Sequence, residues 1–186
     1  EARKQVARIA PGATADVLFL WWGARRLGGQ EGAGLRVALV QQLLDRTPSA
    51  PYLGLDLARI HELAKDSESE LRTLRDLRRR FPKHAEVAVR LGQTLERQGA
   101  RDEARRLYEN AVELNPNAVV GLNNLAVLLG ENPKQRLDAV DLARRAVAAA
   151  PGNGALNGEL LDTLGWLLQR AAQTDEAVEC LERAAL

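Results

Sequence analysis

Apolar residues recur with helical spacing along most of this chain, and the clearest stretch is AEVAVRLGQTLERQGARDEARRLYENAVELNPNA, residues 85–118. It carries two amphipathic helix patterns, separated by a turn at Gln98-Gly99-Ala100 and closed by Pro116. The unit recurs: Pro48, Pro82 and Pro116 are 34 residues apart, and Pro151 follows at 35. A proline at that point cannot continue the preceding helix, because it lacks the amide hydrogen and its ring clashes with the turn before it. Each proline therefore ends a helix pair, and the repeat governs how the rest of the chain is read.

Small residues recur in the same phase. Ala24, Ala58, Gly92, Ala126 and Gly165 fall in the first helix of successive pairs, just after Leu57, Leu91, Leu125 and Leu164 in the later ones. Small side chains there let neighbouring helix axes approach to the short end of the usual ~8–10 Å. The matching slots of the second helices are Ala104, Ala139 and Ala177, then Tyr108, Ala143 and Leu181, then Ala111, Ala146 and Ala184. Steps of four and three place them on one helical face. Five units follow, at about 17–50, 51–84, 85–118, 119–153 and 158–186, and residues 1–11 read as the second helix of a unit that begins earlier.

These phased slots resemble the tetratricopeptide repeat family, most plainly in LGQTLERQGARDEARRLYENAVELNP and LDTLGWLLQRAAQTDEAVECLERA. The resemblance covers nearly the whole chain. It implies an all-α fold, a right-handed α-solenoid of about five stacked helix-turn-helix repeats forming one array. It further implies that first helices line a concave groove and second helices lie on the convex side.

Some positions depart from the pattern. Arg36 and Glu70 occupy second-helix slots that hold alanine elsewhere, so those pairs are expected to splay or re-register, with Arg36 and Glu70 pairing across adjacent helices. Gly28-Gly29, Gly32 and Gly34 read as a loosened linker between two helices, since glycine weakens helices. The segment PGNGAL, 151–156, either extends a helix start or forms a small bulge loop. Absence of methionine argues that Glu1 is not a translation start. The final unit ends without a polar capping helix, so further chain or a neighbouring molecule is expected to cover it.

Composition narrows the classes of function. With 46% hydrophobic and 27% charged residues the chain should fold, and a net charge of +1 is too balanced for a generic polyanion binder, so nucleic acid is not expected as a partner. The longest apolar run, Val17 to Trp22, is far short of the ~20 residues of a membrane-spanning helix, and no direct membrane insertion is expected. A single cysteine leaves the redox compartment open.

Candidate chemistry is sparse. Cys180 precedes the core position Leu181 and reads as a packed, inert thiol. His61 fills a slot held elsewhere by Leu27, Leu95, Leu129 and Leu168, which makes it a semi-buried structural imidazole, and His84 reads as an exposed turn residue. Neither has a second ligand at helical spacing, so no metal, cofactor or catalytic residue is expected, and the chain is read as no enzyme. The glycines of 28–34 lack the strand and lysine of a P-loop. Carboxylate pairs at Asp102-Glu103 and Asp175-Glu176 complement helix dipoles. The arginine run from Arg72 to Arg80 reads as a solvated outer face, with an anionic-partner patch as the alternative.

What the family resemblance implies for binding is a peptide groove. Projected onto this sequence, its contact positions are Trp21, Arg25, Tyr52, Leu55, Arg59, Glu86, Val89, Gln93, Asn123, Asn124, Val127, Glu159, Asp162 and Trp166. Aromatic anchors among adaptable polar groups suit an extended or helical peptide, although Trp21 and Trp166 equally suit packing between repeats. The clamp with which some family members grip a carboxyl terminus is not reproduced, since Glu86 or Glu159 would repel it.

The functional expectation is a scaffold that binds a protein or peptide partner. The C-terminal stretch resembles the closing repeats of bacterial envelope proteins, including lipoproteins of exopolysaccharide export and protein-sorting (PEP-CTERM type) systems, which implies a periplasmic or envelope location. The alternative is the recruiting or regulatory arm of a larger enzyme. Self-association through uncapped ends is a further expectation.

Overall fold

The computed structural model describes residues 31–46, 49–150 and 155–185, and among them every regular element is helical. The chain divides into two compact units, one ending at Pro82 and the other starting at Lys83.

In the first unit, α1 (Glu31–Arg46), α2 (Pro51–Leu63) and α3 (Ser67–Arg80) pack in chain order. Val40, Leu43 and Leu44 of α1 bury against Leu53 and Leu57 of α2. Each such leucine is worth about 1.5–3 kcal/mol when fully removed from water. Pro51 opens α2, where its missing amide leaves no bond unmade. Asp66 caps α3 by accepting a hydrogen bond from the Ser69 amide at 3.1 Å, and the bonds it accepts from Ser69 hold its carboxyl below the ordinary range. At the far end Arg78, Arg79 and Arg80 complement the helix dipole. Gly54 lets the two helices meet, since a Cβ there would overlap the Leu77 methyls.

Two expectations for this unit need correction or limits. Gly32 and Gly34 lie inside the first turn of α1, not in a linker, at a helix start where weak propensity is tolerated. Glu70 is buried at 3% exposure. The side chain of Arg36 lies outside the described residues, as do Ala24, Leu27, Pro48, Gly28 and Gly29.

The second unit contains three helix pairs. They are α4 (Ala85–Arg97) with α5 (Arg101–Leu114), α6 (Val119–Gly130) with α7 (Arg136–Ala149), and α8 (Ala155–Arg170) with α9 (Thr174–Ala184). The second helix of each pair packs on the first helix of the next, and α6 also touches α8. The small-residue slots are where the helices meet. Ala104, Ala111, Ala126, Ala139 and Ala146 are all buried to 3% or less. Gly92 faces the ring of the fully buried Tyr108, and a Cβ on Gly92 would stand 2.6 Å from Cε1 of that ring. The same trade recurs at Gly165 and Leu181, at 2.7 Å.

The turn inside a helix pair has its own requirement. Lys65, Gly99 and Ala172 occupy it with φ of 58°, 83° and 61°, a left-handed conformation that glycine alone adopts without steric cost. Between α6 and α7 a 3-10 turn, Pro133–Gln135, takes its place. Asn132 organises that turn, accepting from the Lys134 amide at 3.1 Å and donating to Gln135 at 3.2 Å. Of the segment 151–156, Ala155 and Leu156 belong to α8, which thus starts ahead of residue 158, and 151–154 lie outside the described residues.

Two side-chain placements differ from expectation. Cys180 is the buried residue at 5% exposure, and Leu181 beside it is 42% exposed while still resting on Gly165. A rotation of one residue on a helix is about 100°, enough to exchange the two. His84 is half-buried at the N-cap of α4, not an exposed turn residue, because the chain turns directly into the helix there.

Candidate partner-binding face

First helices bring their exposed stripes together on one side of the second unit. Between α4 and α6 lies a cleft of about 330 Å³, with Val89, Val119 and Val120 as apolar lining and Glu86, Arg90 and Gln93 on the α4 wall. Gly121 also borders it, and a Cβ there would come 3.2 Å from Cγ2 of Val89. Three expected contact positions, Glu86, Val89 and Gln93, thus meet at one cleft. Val120 lines it too, at 39% exposure, although the repeat projection does not select it. Its position before the buried Gly121 and Leu122 is the sequence signal that it faces outward.

Other expected positions are already engaged. The Asn124 side chain lies beside the Tyr108 hydroxyl, which donates to Glu96 Oε2 at 2.8 Å. Burial pushes the Tyr108 phenol well above its ordinary value, and the Glu96 carboxylate adds to the shift. Trp166 is half-buried, approaches the Gly130 backbone and carries Arg170 over its ring at 5.0 Å. Arg170 also donates to the Gly130 carbonyl at 3.3 Å. Of the two readings of this tryptophan, its contacts favour packing between repeats.

The remaining positions are scattered. Asn123 is half-buried and its Oδ1 has no hydrogen-bond partner among the described residues. Val127 is half-buried, while Glu159 and Asp162 are exposed on α8. In the first unit Tyr52 and Arg59 are exposed, but Leu55 is buried at 7% and offers little contact surface. Trp21 and Arg25 lie outside the described residues.

Second helices present a different surface. Arg72 pairs with Glu68 at 2.7 Å and Arg79 and Arg80 with Asp76 at 3.2 and 3.5 Å, as expected of a solvated face. Further along, arginines tie one repeat to the next: Arg101 to Glu131, Arg144 to Glu176 at 2.7 Å, and Arg136 to the Arg170 carbonyl at 3.1 Å.

Among the described residues, Cys180 and His61 stand on separate helices. Burial raises the Cys180 thiol above its ordinary value, which disfavours the reactive thiolate. His61 stands 3.9 Å from Asp66 near the helix turn. Among the described residues no group of three or more His, Cys, Asp or Glu could hold a metal ion, and no helix is long and apolar enough to cross a membrane.

A family model, Tetratricopeptide repeat, matches residues 85–118, the helix pair α4–α5 that walls the cleft. The chain carries a tetratricopeptide repeat there. Its relatives include human tetratricopeptide repeat protein 7B, 32% identical over 100 residues, and human tetratricopeptide repeat protein 7A, 30% identical over the same length. Both alignments cover 54% of this chain and 11% of the relative, so the chain spans about a tenth of the curated relatives' length. Among solved structures, MamA residues 41-end from Desulfovibrio magneticus RS-1 superposes with a TM-score of 0.68 at 13% identity, covering 92% of this chain and 94% of that one. Nearly identical TPR-like repeats from Podosopora anserina give 0.64 at 20% identity, with 91% and 93% covered. At such identities the likeness concerns fold, and it agrees with an all-α repeat solenoid.

Proposed function

We propose that this tetratricopeptide repeat protein is a non-catalytic scaffold that holds a segment of a protein partner on its first-helix face. The observation that carries the reading is the cleft between α4 and α6. It is concave, with valine and alanine as its apolar lining, and set between the first helices of adjacent repeats, where a side chain from a partner can be enclosed on two sides. Several arginines of the second helices, by contrast, are held in ion pairs within the molecule.

A photo-reactive side chain placed at Val120, and separately at Arg106 on α5, tests the choice of face in source cells. Cross-linked partner peptides should form at position 120 and not at 106. Adducts confined to 106 would reject the first-helix reading.

The setting we propose is bacterial envelope polysaccharide export or protein sorting, on the strength of the resemblance of the C-terminal repeats to proteins of those systems. Cell fractionation tests it, and recovery of the protein in the cytoplasmic fraction alone would refute it. A role as the recruiting arm of a larger enzyme is the competing proposal; a catalytic domain encoded in the same reading frame would establish it.

A further inference from the structure

The partner's chemistry can be narrowed by asking which charged groups of the second unit's first helices already have a bond. Every cation there does. Arg90 donates to Gln93 at 3.4 Å, Arg97 to Thr94 at 3.3 Å, and Arg170 to the Gly130 carbonyl while stacked on Trp166. Of the carboxylates, Glu96 accepts from Tyr108. Glu86, Glu159 and Asp162 have exposed side chains and no hydrogen bond or ion pair among the described residues. On α6 there is no charged side chain. The charged side chains of this face without a bond are therefore all carboxylates, and Glu86 stands at the edge of the apolar cleft, where Arg90, bonded to the neutral Gln93 amide, keeps its own charge.

We propose that this face takes a cationic polypeptide segment bearing a bulky apolar side chain. The side chain enters the α4–α6 cleft, and basic residues beside it meet Glu86 and, further along the stack, Glu159 and Asp162. This rests on the first-helix reading given above and adds the charge and the anchor of the occupant. A volume of about 330 Å³ is at the small end of ligand clefts, which run from about 300 to 1,000 Å³, and suits side chains more than a large cofactor. An acidic segment is disfavoured because it would meet three carboxylates that form no ion pair among the described residues, and like charges facing each other oppose association. Of the arginines on the second helices, Arg101, Arg105 and Arg144 are paired with Glu131, Glu109 and Glu176.

The test uses three dye-labelled synthetic peptides of equal length, followed by fluorescence anisotropy against the whole chain: leucine with lysine, leucine with glutamate, and serine with lysine. The leucine–lysine peptide should bind tightest. Glu86→Lys and Val120→Lys should each weaken it by about tenfold or more, through repulsion and through loss of apolar lining, and Arg106→Ala should leave it unchanged. Positions 86 and 120 are exposed, and thermal unfolding of each variant checks that the fold is intact. Equal binding of the serine–lysine peptide would overturn the apolar anchor and with it the proposal. Tighter binding of the leucine–glutamate peptide, lost on Val120→Lys, would overturn the proposed charge while leaving the first-helix face standing as the docking surface. If no peptide responds to Val120→Lys, both readings fail together.

Discussion

Tyr108 of α5 rests its ring against Gly92 and donates its hydroxyl to Glu96, both on α4, with Asn124 of α6 beside the same oxygen. Tyr108→Phe should cost about 1–3 kcal/mol, the range for a buried hydrogen-bonding group left without its partner, as measured by urea denaturation. The cost should depend on pH. Burial raises the folded-state value of the phenol above the unfolded one, so the fold favours the neutral form. That contribution is complete below about pH 10, the ordinary tyrosine value, and is lost as pH rises through and beyond it. The stability gap between wild type and Tyr108→Phe should therefore shrink above about pH 10; a gap constant to pH 11 would contradict it. Gly92→Ala should cost about 1–3 kcal/mol, because the ring stands where the new methyl must go. Combined with Tyr108→Leu it should cost less than the sum, a coupling that a double-mutant cycle reads directly.

Helices were legible from the sequence because periodicity and proline are local signals, and α4, α5 and α9 fall where the repeat places them. The turns within pairs were less so. Left-handed backbone at Lys65 and Ala172 carries no residue signature, whereas Gly99 does. Ala172→Gly should stabilise the chain by about 1 kcal/mol and Gly99→Ala destabilise it by a similar amount, both followed by thermal unfolding. Little shift at Ala172 would mean that the helix ends absorb the strain. The candidate site was legible only in part. Glu86, Val89 and Gln93 follow from the repeat alone, but the engagement of Asn124 by Tyr108 and of Trp166 by Arg170 depends on side chains from other helices. No single-repeat pattern encodes those contacts. Val120 was missed because the family projection ranks positions by slot and not by exposure.

Beyond single elements, the helix pairs described in the second unit pack in chain order, so a local loss should stay local. Arg144 links α7 to α9 through Glu176 and Gln173. Arg144→Ala should lower protection of α9 amides against hydrogen exchange by several-fold at low salt, equivalent to about 0.5–1 kcal/mol, and leave α4 unchanged. The effect should fade near 1 M salt, where the Debye length is about 3 Å. Deprotection spreading to α4 would show longer-range coupling than the contacts provide. The division of labour between the two faces also bears on how such a protein changes over time. The side chains of Glu86, Glu159 and Asp162 make no hydrogen bond or ion pair among the described residues, so replacing them removes none of these, and descendants can exchange one clientele for another with little threat to the fold. The stapling arginines have no such freedom, and drift there is restrained by the architecture before any partner is consulted.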